Sequence, residues 1–158
     1  NGKEKFLISG KYSCYIENVV PSSAVYEFNV FCKTNPADFY FSGNTTYKVR
    51  FKFKITDAIK AEEDGRFYCL AREEGSFAHD VGVFEWRNEY EVGQVYSVEY
   101  EFTTGDSDKY YFMWGVHYYG SIAIDDVTFE KVTPTGATTP KVTKGHAYTV
   151  TDEVIYKR

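Results

Sequence analysis

The sequence is poor in sulfur, in helix-forming composition and in basic charge. Against 15 Tyr and 13 Phe it has a single Met and three Cys. That usage is far from the Ala/Leu/Glu-rich composition of helical proteins and suits pleated, half-buried surfaces. A formal net charge of -5 removes the electrostatic reason to expect a nucleic acid partner, which needs clustered Lys and Arg. No run approaches the roughly 18 apolar residues that cross a bilayer, so no membrane insertion is expected. Asn1 to Lys5 hold no signal-peptide hydrophobic region, a start compatible with a mature or excised piece of an exported protein. At 158 residues, one domain with a real core is expected.

The cysteines exclude more than they offer. Cys14, Cys32 and Cys69 are an odd number without a C-x-x-C pair, so neither a zinc site nor a disulfide framework is supported. Each is in phase with apolar neighbours: Cys14 with Ile16, Cys32 with Phe28 and Val30, Cys69 with Phe67 and Ala71. All three read as small core residues with free thiols.

What is abundant is alternation. From Lys11 to Val132 the period is two, broken by Gly, Asn, Asp and Pro. Tyr26, Phe28, Val30 and Cys32 form one row, and Tyr47, Val49, Phe51, Phe53 and Ile55 another. Tyr96, Val98, Tyr100 and Phe102 follow, then Tyr110 to Val116 and Ile122 to Phe129. Seven to nine strands are expected, in an all-β, two-sheet antiparallel β-sandwich. Lys48, Arg50, Lys52 and Lys54 project from the other side of the second row and are read as a solvated face paired with Glu99 and Glu101. Thr56 to Asp64 alone looks helical, as a short excursion between strands. From Thr133 to Pro140 the texture becomes Thr/Pro-rich. The domain is therefore expected over residues 1–133, with a linker over 134–145 and, over 146–158, one extra returning strand or the start of a next module.

The run Gln94 to Phe102, then Tyr110 to Val116, then Gly120-Ser121-Ile122-Ala123-Ile124-Asp125-Asp126-Val127-Thr128-Phe129 resembles the closing half of jelly-roll carbohydrate-binding modules. Asn44 to Phe51 is similar to the earlier strand that follows a Gly/Thr turn in those modules. The resemblance is to the superfamily around families 4, 9, 16 and 22, with the galactose-binding-like fold. It covers residues 44 to 132 with a gap in the middle, and its most specific motif is Ile-Asp-Asp-Val. The resemblance implies a jelly roll, a sugar ligand and a structural calcium held in part by Asp125 and Asp126. The chain lacks the family's Asn-Gly-x-Phe-Glu opening with a following Trp. The same Asp pair also fits a strand-terminating kink, one carboxylate capping backbone amides and the other in water.

Sugars present flat C–H faces ringed by hydroxyls, so a binding face of this kind combines aromatic plates with hydrogen-bonding side chains. Two clusters offer both: Trp86, Arg87, Asn88 and Tyr90, and Trp114, His117, Tyr118 and Tyr119. Trp86 precedes a polar run and is the first candidate for an exposed plate. Trp114 shares a face with Phe112 and Val116, opposite Tyr111, Met113 and His117, and either face can be the core. The rings are more numerous than two packed sheets are expected to hide, which predicts several in solvent.

Chemistry has little support. His79-Asp80 has no nucleophile in a recognisable context and reads as a loop pair. Glu85, Glu89, Glu91, Glu99 and Glu101 are candidates for paired carboxylates, but nothing raises one pKa over another. Asn44-Thr45-Thr46 matches a glycosylation sequon too common to weigh. The expectation is a non-catalytic, extracellular module appended to a larger protein. Its partner would be a neutral polysaccharide or oligosaccharide such as a glucan or xylan, with a protein-interaction module as the alternative.

Overall fold

A computed structural model describes residues 7–10, 12–19, 30–58, 65–76 and 78–146. These form nine strands: β1 Cys14–Asn18, β2 Val30–Lys33, β3 Thr46–Asp57, β4 Arg66–Glu73, β5 Asp80–Trp86, β6 Val95–Thr103, β7 Tyr110–His117, β8 Gly120–Lys131 and β9 Lys141–Gly145. They lie in a five-stranded sheet, β1-β8-β3-β6-β9, and a four-stranded sheet, β2-β7-β4-β5. All pairings are antiparallel. Among the described residues no helix is long and apolar enough to cross a membrane.

The connectivity is a jelly roll. β1 pairs with β8, β2 with β7, β3 with β6 and β4 with β5, the rungs of one ribbon folded back on itself. Rolling that ribbon distributes alternate rungs to opposite sheets and brings β8 beside β3 and β7 beside β4. The expected two-sheet sandwich is therefore present, and β9 adds a fifth strand beside β6.

Alternation places the core. On β3, Tyr47, Val49, Phe51, Phe53 and Ile55 are buried against Phe67, Cys69, Phe84, Trp86, Phe112 and Val116 of the other sheet. The rings are packed edge to face as well as stacked. Around Phe41, the rings of Tyr47, Phe129 and Phe102 lie at 4.7, 4.9 and 5.3 Å. Around Trp86, those of Phe84, Phe53 and Phe67 lie at 4.5, 4.7 and 5.7 Å. Such packing gives each pair about 0.5–1.5 kcal/mol beyond burial. It also corrects the expectation of surplus rings: among the described residues the exposed aromatic side chains are Tyr12 and Phe39. Tyr68, Leu70 and Met113 are buried on the other face of the four-stranded sheet, so β4 is covered on both sides.

Two expectations about the chain's organisation are corrected or left outside the described residues. The Thr/Pro stretch is no free linker. Thr135 donates its amide to Glu101 Oε2 at 3.0 Å and its hydroxyl to Glu101 Oε1 at 2.7 Å, while Glu101 N donates to Ala137 O at 2.9 Å. A segment with little apolar content is thus docked through hydrogen bonds to one buried carboxylate, and it leads directly into β9. Of the helical excursion, Thr56 and Asp57 close β3, and residues 59–64 lie outside the described residues. Of the final segment, all but His146 lies outside them.

Candidate functional site

The two aromatic clusters lie at one end of the four-stranded sheet, on β5 and β7 with β4 between them. Phe67 stands opposite both Trp86 and Val116, and Arg66 opposite His117. The rings do not form an open platform there. Trp86, the last residue of β5, continues the inward row begun by Phe84 and is 2% exposed. Its indole N–H finds no hydrogen-bond acceptor among the described residues, and Tyr90 packs edge-on against it at 6.3 Å. Trp86 is therefore core, correcting its reading as the first sugar plate. The polar run that suggested exposure begins one residue later: Arg87 is half-buried, Asn88 is exposed, and Arg87 N donates to Glu89 Oε2 at 2.5 Å.

Trp114 also faces inward, with Phe112 at 6.0 Å, and is half-buried. His117 is buried on the opposite side, in edge contact with Tyr118 at 4.6 Å. Tyr118 and Tyr119 make the turn into β8 and are half-buried, Tyr118 with φ 65° ahead of Gly120 at φ 138°. A non-glycine residue at positive φ is strained, and here it aims one phenol back over His117. Of the predicted site, Asn88, Arg87, Tyr90, Trp114, Tyr118 and Tyr119 thus reach the surface at least in part, while Trp86 and His117 do not.

An open groove lies elsewhere, on the outer face of the five-stranded sheet. Its volume is about 390 Å³, and its polar lining comes from β3 (Arg50, Lys52), β6 (Ser97, Glu99), β8 (Asp126, Thr128) and β9 (Lys141, Thr143). Register explains the lining. Arg50 stands opposite Glu99 on β6 and Thr128 on β8, and Lys52 opposite Ser97. Arg50 Nε donates to Glu99 at 2.5 Å, Arg50 Nη1 to Glu130 at 3.1 Å, and Lys52 Nζ to Asp126 at 2.7 Å. Of the pairing expected for this row with Glu99 and Glu101, the structure shows Arg50 with Glu99; Lys52 pairs instead with Asp126, Glu101 is buried and taken up by Thr135, and Lys54 is buried. The Arg50 guanidinium holds the Glu99 carboxyl below its ordinary range, and Lys52 does the same for Asp126. The floor thus presents ionised carboxylates and ammonium or guanidinium groups in alternation, three cations (Arg50, Lys52, Lys141) to two carboxylates (Glu99, Asp126).

Beside the groove, the Asp125-Asp126 pair makes a kink, but it does not end the strand and leaves neither carboxylate to water alone: β8 runs on to Lys131, and Asp126 is ion-paired with Lys52. Asp126 has φ 52°, and the β3–β8 register shifts between Arg50 and Lys52. Asp125 Oδ1 accepts the amide of Asp126 at 2.8 Å, and Asp125 Oδ2 accepts the Ser9 amide, the Ser9 hydroxyl and the Ser13 hydroxyl at 3.2, 3.0 and 2.7 Å. Asp126 Oδ1 takes a further bond from Ser9 Oγ at 3.0 Å. Lys54, buried on β3, donates to Leu7 O at 3.0 Å. A calcium ion wants six to eight free oxygens. Here every carboxylate oxygen already accepts a donor, and the Lys52 and Lys54 ammoniums bring the positive charge to Asp126 and to the carbonyl of Leu7. Among the described residues, this donor set does not fit calcium.

His79 does not bond its neighbour. Its Nδ1 meets Glu73, while Asp80 takes a two-pronged bond from the buried Arg72 at 2.7 and 2.8 Å. No protein-family model matches the chain, and no curated protein is similar to it. The groove was not singled out from sequence, although its signal was present: cations on β3, acids on β6 and Thr on β8 all fall on the outward phase of their strands.

Proposed function

We propose that the chain is a non-catalytic carbohydrate-binding module of an extracellular protein, with a neutral polysaccharide lying across the outer face of the five-stranded sheet. The observation that carries the reading is the groove formed by Arg50, Lys52, Ser97, Glu99, Asp126, Thr128, Lys141 and Thr143. A sugar ring offers each hydroxyl as donor and acceptor. A floor of alternating carboxylates, cations and hydroxyls can satisfy both roles, and charge-assisted bonds are stronger than neutral ones. Because the charges are largely matched, the floor favours a hydroxylated chain over a polyanion. The jelly-roll topology and the resemblance over residues 44 to 132 are consistent with this.

The mode of holding differs from one built on stacked rings. Without an exposed indole, affinity rests on hydrogen bonds that replace those to water, so each site should be weak, with a dissociation constant of roughly micromolar to millimolar. Appended modules or repeated sites on a polymer would add avidity.

Affinity electrophoresis against starch-like glucan, β-glucan and xylan tests the reading. Retardation by at least one polymer, reduced about tenfold or more in apparent affinity by Arg50→Ala, is the expected outcome. No retardation by any glycan contradicts it, and capture of a protein partner instead would favour the protein-interaction alternative. Release of reducing sugar from the same panel would contradict the non-catalytic part.

A further inference from the structure

The two half-buried cysteines have a relationship that sequence spacing does not reveal. Cys14 is the first residue of β1, at the edge of the five-stranded sheet, and Cys32 lies on β2, at the edge of the four-stranded sheet. Their Sγ atoms face each other across the gap between the sheets at 3.5 Å, 18 positions apart in the chain. Cys32 stands opposite Trp114 on β7, and Trp114 stands opposite the fully buried Cys69 on β4. All three thiols are free in this structure.

We propose that Cys14 and Cys32 are a redox-active pair that closes into a disulfide, clamping the open edge of the sandwich by tying β1 to β2. A disulfide needs its sulfurs at about 2.05 Å, so closure requires a shift of roughly 1.5 Å shared between two edge strands. The environment favours attack by Cys14. Either thiol can donate to the other; with Cys32 as the donor the Cys14 thiolate is favoured and its pKa falls to about 6, against the opposing effect of burial. The same pairing pushes the Cys32 thiol up. Cys69 is unsuited to exchange, since burial pushes its thiol up to about 12.

The oxidant would be a small-molecule disulfide. The Cys14 thiolate attacks one sulfur of oxidised glutathione, forming a mixed disulfide and releasing one glutathione thiolate, which takes up a proton. Cys32 then loses its proton and attacks the Cys14 sulfur, releasing the second glutathione thiol. Two protein thiols are oxidised and one glutathione disulfide is reduced to two thiols.

The test uses the full chain, first reduced, then equilibrated natively in glutathione buffers of increasing oxidised fraction, acid-quenched, and alkylated in denaturant for mass spectrometry. The expected product has lost two hydrogens, is alkylated on Cys69 alone, and yields a Cys14–Cys32 linked peptide. Cys69→Ser should leave the link intact, and Cys32→Ser should stop at glutathione on Cys14. The oxidised chain should have an unfolding equilibrium constant roughly a hundredfold smaller than the reduced chain, as expected for closing a loop of this size. Three alkylatable thiols throughout the redox range, glutathione stalled on Cys14 of the unsubstituted chain, or a link involving Cys69 would each overturn the proposal. Comparison of the oxidised and reduced unsubstituted chain remains decisive if either Ser variant fails to fold.

Discussion

Glu101 has a larger structural role than its place in an outward row of β6 suggests. It is 2% exposed, and both carboxylate oxygens accept from Thr135. Those bonds hold its carboxyl below the ordinary 4.5. A depressed folded-state pKa contributes stability that is present above the unfolded value and lost as pH falls through the folded one. Glu101→Gln should therefore be less stable than the parent at neutral pH and should lose less on acidification below 4.5. Urea unfolding of both chains on either side of that pH checks this, and parallel pH profiles would count against it. Trp86 is the complementary case. Its truncation to Ala should cost about 3–5 kcal/mol in urea unfolding, as for other large core rings. The fraction that remains folded should keep its glycan affinity, because Trp86 does not reach the groove.

Among the elements, β5 depends on one backbone position. Gly82 has φ 61°, and a Cβ there would lie 2.7 Å from Phe102 Cβ. It sits where the β4–β5 register shifts between Cys69 and Ala71, and its carbonyl accepts the Tyr100 hydroxyl at 2.8 Å. Gly82→Ala should destabilise the domain by about 1–3 kcal/mol, readable as a lower thermal midpoint. An unchanged midpoint would mean that β5 and β6 can part without cost. The long strands were legible in the sequence because one face of each is buried, which forces strict alternation, as in Tyr47 to Ile55. The same rule placed Trp86 in phase with Phe84, but its polar neighbours Arg87 to Glu89 obscured that signal. The docking of Thr135 was not legible, since a pair of hydrogen bonds to a carboxylate 34 positions away leaves no periodic trace. Nor was the meeting of Cys14 and Cys32, which depends on how two edge strands approach.

At the scale of the molecule, the roll hides most of the described rings between the sheets and leaves charge and hydroxyls on the outer face of β3, β6, β8 and β9. That division moves the candidate glycan site away from the aromatic end formed by Trp86, Tyr118 and Tyr119, where sequence reasoning put it. Register determines the groove: Arg50 can reach Glu99 and Glu130 together because β6 and β8 flank β3. The most direct measurement is amide chemical-shift mapping with a short oligosaccharide of whichever polymer retards the chain. The account predicts shifts concentrated at Arg50, Lys52, Ser97, Glu99, Thr128 and Thr143. Shifts confined to Asn88, Tyr118 and Tyr119, or none with any sugar, would contradict it.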